Sequence, residues 1–281
     1  MEEPEAYVAR VASAATRTVT PVASGVMVWR AWGEGPPLVL LHGASGSWTH
    51  WIRNVLPLAE HFRVLAPDMP GYGESDAPPE PHTADALADL VAAGIEQLLP
   101  APAVFDLAGF SMGAIIGGLV AARLGARVRR FVLLGPGGLG LVPAPVRTLL
   151  RLEPGMDGEA VQHVHRQNLL TLMLARPESA DELAVTLQID NVARSRFRSG
   201  TIPVSDALLR ALPSVRAHLA GIWGGRDAFT GHHLAESRQV LASADPTLDA
   251  AVIEPAGHWV NYEAADEVNR LLEVWLARRA P

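Results

Sequence analysis

Apolar residues along this chain fall into two alternating patterns. Strand-like stretches occur at residues 16–22 and 26–32, and short apolar blocks of strand length at 38–41, 64–66, 103–108, 131–134, 219–223 and 250–253. Stretches with helical spacing separate most of them, at 48–61, 83–99 and 114–124. Continuous apolar strands alternating with helices predict a mostly parallel sheet covered on both faces. The first two strand-like stretches are joined only by turn residues, which predicts an antiparallel start. A short helix is expected over 4–14. The alternation stops at Gly135-Pro136-Gly137-Gly138, and from 139 to 213 only helical patterns follow, including 161–174 and 180–192. The expected architecture is an eight-stranded α/β core, residues 1–138 with 214–281. A helical cap, residues 139–213, is inserted after the sixth strand and lies over the carboxyl edge of the sheet. Gly117 and Gly118 fall inside a helical stretch, where glycine costs stability. They predict a close approach of that helix to the sheet.

Composition narrows the classes. The chain has 281 residues, 49% hydrophobic and 19% charged, which describes a globular domain with a real core. Its formal net charge is -7, and no Lys/Arg block offers a surface for nucleic acid or an anionic membrane. There is no cysteine, so disulfides, thiolate catalysis and cysteine-based metal sites are excluded. His163, His165, His232 and His233 have no carboxylate at recognised ligand spacing, and no metal is expected. The stretch Met1-Glu2-Glu3-Pro4-Glu5 lacks the apolar region of a secretory signal, and the longest apolar runs are too short to span a bilayer. A cytoplasmic protein is expected; a homo-oligomer is compatible with the sequence.

The chemistry is concentrated at strand ends. Residues 109–113 read Gly-Phe-Ser-Met-Gly between a strand and a helix. Such a tight turn holds its central serine in strained backbone geometry and needs neighbours without bulk. Ser111 is thus the candidate nucleophile. A serine hydroxyl is weak near neutral pH and needs a base, and the base needs an acid to orient it. On this fold the partners follow in the order acid, then histidine. Asp227 follows the strand ending at Trp223, and His258 follows the last strand. Asp227 has a competing reading as an Asx turn or helix cap. The backbone N–H of Met112 is the first expected oxyanion donor. The N–H of Ala44, in the loop His42-Gly43-Ala44-Ser45-Gly46, is the second. His42 is read as tying loops together. Leu139, Leu170 and Met173 are candidate pocket residues, with Phe110 and Trp259 beside the nucleophile and the base.

With these residues in order, the chain resembles the α/β-hydrolase superfamily over nearly its full length. Leu41-His42-Gly43, the segment 67–76, the serine turn, Gly224-Gly225-Arg226-Asp227 and Gly257-His258 carry the likeness. Segments 134–140 and 257–269 are similar to the meta-cleavage-product hydrolases, which cut a carbon–carbon bond in vinylogous diketones. The resemblance implies a cofactor-free serine hydrolase acting on a small molecule, with a helical cap. Two features depart from the carbon–carbon enzymes. They commonly have asparagine before the nucleophile, where this chain has Phe110. They also place a cap arginine near the substrate carboxylate, a region occupied here by 187–191. Arg194, Arg196 and Arg198 lie just beyond and are read as a solvated face. Phe110 is more like the esterase and perhydrolase branches. The expected activity is therefore carboxylic-ester hydrolysis, with carbon–carbon hydrolysis as the alternative. A non-hydrolytic receptor, lyase or cyclase on the same fold is the alternative from another class.

Overall fold

The computed structural model describes residues 2–22, 25–142 and 147–278. Residues 143–146 of the expected cap, and 1, 23–24 and 279–281 of the expected core, lie outside the described residues. The chain opens with α1 (Pro4–Ser13) and the antiparallel pair β1 (Thr16–Val22) and β2 (Gly25–Trp32). Then come β3 (Pro37–Leu41), α2 (Val55–Ala59), β4 (Arg63–Pro67), α3 (Ala84–Leu98), β5 (Phe105–Phe110), α4 (Met112–Leu124) and β6 (Val128–Leu134). After β6 follow α5 (Gly158–Leu172), α6 (Glu182–Ala193) and the short α7 (Ala207–Ala211). The core resumes with β7 (His218–Gly224), α8 (Leu234–Ala244), β8 (Asp249–Ile253), α9 (Val260–Glu263) and α10 (Ala265–Ala277).

The eight strands form one sheet in the order β1-β2-β4-β3-β5-β6-β7-β8. β2 meets β4 antiparallel, and every later pairing is parallel. This is the α/β-hydrolase fold. β5 lies in the middle of the sheet and is buried at all six positions, so the loops at its carboxyl end are surrounded by those of its neighbours. Two apolar clusters cover the faces. One joins α3, α4 and α7 to the sheet; the other joins α1, α10 and parts of α5 and α6.

Local differences from the expected elements have physical causes. The single helix expected over 48–61 is a 3-10 turn, Trp48–Trp51, followed by α2. Pro57 has no N–H to continue a helix from residue 53. It is accommodated at the third position of a new helix, where the N–H would be unpaired anyway. Of the two glycines inside α4, Gly117 permits close approach to the sheet as expected, whereas Gly118 faces α7 instead. A Cβ on Gly117 would meet the Phe131 ring at 2.9 Å, and one on Gly118 would meet Leu208 Cδ1 at 2.3 Å. α5 and α6 are each capped by an aspartate, Asp157 and Asp181, accepting a backbone N–H at 2.8 Å.

Candidate active site

β5 passes into α4 with no loop between them. Ser111 takes the junction with φ +54° and ψ -117°, a conformation that costs a non-glycine residue about 1–3 kcal/mol. The flanking glycines are required by space. A Cβ on Gly109 would meet the Gly113 carbonyl oxygen at 2.4 Å, and one on Gly113 would meet the Leu41 carbonyl oxygen at 2.3 Å. The turn can therefore be this tight only with glycine at both ends.

Ser111 Oγ lies 2.9 Å from His258 Nε2, and His258 Nδ1 lies 2.8 Å from Asp227 Oδ2. Asp227 and His258 are buried and Ser111 is half-buried, so the serine end of this chain is the one open to a ligand. Asp227 Oδ1 also accepts the backbone N–H groups of Phe229 (2.7 Å) and Thr230 (3.1 Å). Asp227 thus forms a local turn through Oδ1 and bonds the histidine through Oδ2 at once. Burial alone would raise its pKa, but His258 and the hydrogen bonds outweigh burial and hold it below the usual carboxylate value. Room for the pair is made at the end of β6. Gly135 has φ +49°, and a Cβ there would lie 3.1 Å from both Asp227 Oδ2 and His258 Nδ1.

Met112 is the first residue of α4, directly after Ser111. The loop with Ala44 runs alongside: a Cβ on Gly43 would touch Ser111 Cβ at 3.3 Å and the Phe110 ring at 3.1 Å. His42 does tie loops together. Its Nε2 accepts the Met69 N–H at 2.8 Å, so its Nδ1 carries the proton and donates to the Gly43 carbonyl at 2.7 Å. Full burial lowers its pKa to about 4.

Phe110 is fully buried, with its ring 5.1 Å from that of His258 and 5.4 Å from that of His50. Trp259 is also fully buried and donates its indole N–H to the His50 carbonyl at 2.9 Å. Leu139 lies in the apolar cluster on the α3 and α4 face. Leu170 and Met173 line a cavity of about 230 Å³ with Arg147, Arg226 and Gly257; Ser111, Asp227, His258 and Leu139 are not among its lining residues. Arg194 is exposed and pairs with Asp190 at 2.8 Å. Arg196 and Arg198 are exposed too, as expected of a solvated face; the Arg196 guanidinium in addition donates to the Gly73 carbonyl at 3.0 Å and to that of Ser75. Its own N–H and that of Phe197 bond the Gly71 carbonyl.

Three residues next to the site were not anticipated. Phe229 is half-exposed with its ring 4.5 Å from that of His258. His50 is buried against Phe110 and Trp259. Glu263 has a buried carboxylate that accepts the N–H groups of Gly257 (2.6 Å), Arg176 (2.7 Å) and Ala175 (3.0 Å). A carboxylate or histidine inside an apolar stretch was the one available sign for the last two. Among the described residues, no helix is long and apolar enough to cross a membrane.

A family model described as alpha/beta hydrolase family matches residues 38–271. The chain is 31% identical over 258 residues to a dihydrolipoyllysine-residue acetyltransferase component of the acetoin cleaving system of Pseudomonas putida. That match covers 88% of this chain but only 65% of the relative. It is 27% identical over 266 residues to a 2-hydroxy-6-oxo-6-phenylhexa-2,4-dienoate hydrolase of Comamonas testosteroni, covering 88% of this chain and 90% of that one. Among solved structures, a carboxylesterase from Bacillus subtilis superposes with TM-score 0.76 at 18% identity, over 98% of this chain and 97% of that chain, a likeness of fold.

Proposed function

The chain belongs to the alpha/beta hydrolase family, and from that premise we propose that it is a serine hydrolase cleaving carboxylic esters of small hydrophobic molecules. One observation carries this reading: the unbroken hydrogen-bonded chain from Ser111 Oγ through His258 to Asp227. Asp227 accepts a hydrogen bond from His258 Nδ1–H and so holds the tautomer whose Nε2 is free to act as a base. Nε2 takes the Ser111 proton as Oγ attacks the ester carbonyl carbon. The N–H groups of Met112 and Ala44 receive the oxyanion, each such donor contributing about 3–4 kcal/mol to the barrier reduction. His258 then passes its proton to the departing alcohol oxygen. It next activates a water that releases the acid and restores Ser111. The helices α5 and α6 act as the lid, with Leu170 and Met173 facing the substrate.

The ester preference rests on the apolar surroundings of the serine and histidine: Phe110, Phe229, Gly43 and Trp259. Carbon–carbon hydrolysis of a dienoate is the second reading, favoured by the names of relatives at 27% and 28% identity. Two assays decide. A fluorophosphonate should label Ser111 in the wild-type protein; lack of labelling would overturn the serine-hydrolase reading. Short and medium p-nitrophenyl esters assayed beside a 2-hydroxy-6-oxo-dienoate then separate the substrates. Faster turnover of the dienoate would replace the ester by the carbon–carbon reading.

A further inference from the structure

His50 stands between two loops that the proposed chemistry needs, and neither its sequence context nor the proposed roles account for it. It lies on the 3-10 turn Trp48–Trp51, which is held at its start by Ser47 Oγ accepting the Thr49 N–H at 3.2 Å and by Asp68 accepting the Trp48 N–H at 2.9 Å. The His50 ring rests on Gly46, where a Cβ would sit 2.1 Å from its Cε1. Its Nδ1 accepts the Gly43 N–H at 3.2 Å. Its carbonyl accepts the Trp259 indole N–H at 2.9 Å and the Asn261 amide at 2.7 Å. One residue is therefore bonded through its ring to the Gly43–Ala44 loop and through its backbone to the segment that follows His258.

The bond to Gly43 has a specific consequence. The N–H of Gly43 is held by His50 and its C=O by His42 at 2.7 Å. In a trans peptide the C=O and the next N–H point in opposite directions. The Ala44 N–H lies in the same peptide plane as the Gly43 C=O, which His42 holds, whereas the Gly43 N–H belongs to the preceding plane, which His50 holds; the two soft dihedrals at Gly43 are thus pinned from both sides. We propose that His50 is a positioning residue: its Nδ1, as an acceptor, anchors the peptide before Gly43 and so, together with His42 on the peptide after it, keeps the Ala44 N–H oriented relative to Ser111. The inference rests on Ser111 and Ala44 having the roles proposed above. It requires a neutral ring, because a protonated Nδ1 cannot accept. Burial, reinforced by His42 and His258, holds the His50 pKa well below its ordinary value.

Two substitutions separate an acceptor from a filler. His50→Phe keeps a ring in the space beside Phe110 and Trp259 but cannot accept from Gly43. His50→Asn loses the ring but places an amide oxygen where Nδ1 stood. With a p-nitrophenyl ester, His50→Phe is expected to lower kcat by about 10–100-fold, the scale of a misplaced catalytic group, with KM within about threefold. His50→Asn is expected to restore kcat to within about threefold of wild type. Wild-type kcat in His50→Phe, or a deeper loss in His50→Asn than in His50→Phe, overturns the proposal. Should His50→Phe fail to fold, His50→Asn decides by itself: retention supports the proposal and a loss above about tenfold overturns it. Ser111→Ala, measured alongside, distinguishes this failure from that of the hydrolase reading. If Ser111→Ala is inactive and His50→Phe is fully active, only the role of His50 falls.

Discussion

The strand ends that carry Ser111, Asp227 and His258 are built by different means from the helices α5 and α6 beside them. At the strand ends, backbone does most of the placing. Glycines 109, 113 and 135 let chains approach within distances that any side chain would forbid, and the strained Ser111 is locked by the strand and helix on either side. The α5–α6 region is attached by side chains instead. Arg53 bonds Asp181 at 2.6 Å, lies over the Tyr262 ring at 3.8 Å, and Tyr262 donates to the same aspartate at 2.6 Å. Glu263 gathers Ala175 and Arg176, and Asn191 bonds Thr49. Rigid backbone suits a geometry that must hold to a fraction of an ångström. Side-chain ties suit a seam over a binding site, where individual bonds are of modest strength.

This contrast can be broken at several points. The largest effect is expected at the strand ends: Ser111→Ala should lower turnover by about 10⁵–10⁶-fold while leaving the melting temperature nearly unchanged. More than a tenth of wild-type activity in that variant would remove Ser111 from the mechanism. Next is the carboxylate where the two regions meet. Glu263→Ala leaves the N–H groups of Gly257, Ala175 and Arg176 without their acceptor, and should cost about 3–5 kcal/mol of stability by urea denaturation. A loss below about 1 kcal/mol would mean that the seam does not depend on this group.

A pH dependence should follow from His42. Its folded pKa of about 4 lies below the ordinary 6.5, so the unfolded chain binds the proton first. Stability from this group is full above pH 6.5, falls as pH drops toward 4, and levels off below. The loss between pH 7 and 4 should be about 3 kcal/mol. Urea denaturation of wild type and His42→Asn across that window measures it; parallel curves would refute the assignment. The smallest effects belong to the ion pairs of the α5–α6 region. Arg53→Ala should cost about 1–2 kcal/mol through its ion pair and its ring contact. Arg194→Ala, whose pair with Asp190 is half-exposed on both sides, should cost less than about 0.5 kcal/mol. Equal losses in the two would show that the seam is no more than a surface.

Much of this contrast was readable in the sequence, but unevenly. The inner strands β3 to β7 are visible as apolar blocks, because a strand buried on both faces has no polar alternation to confuse it; the exposed edge strand β1 is legible only from its β-branched residues and the turn that follows. Arg196 is exposed as its sequence context predicts, but nothing in its neighbours reveals that it also bonds the loop 71–75. Helix 48–61 was drawn too long, because periodicity outweighed the missing N–H of Pro57.

By itself the sequence determined the α/β class, the serine turn and the order in which Asp227 and His258 follow it. Each of those depends on a local pattern: an apolar run, a pair of glycines, a polar residue just past a strand. Only the tertiary structure decided that His50 would meet Trp259 across 209 residues, Asn191 would meet Thr49 across 142, and Glu263 would meet Ala175 across 88. Such contacts leave no periodicity, since their partners become neighbours only when the strand ends converge and the helices pack against them. The physical reason is that hydrogen bonds in a dry interior are chosen by what burial brings together, and burial is a property of the whole chain.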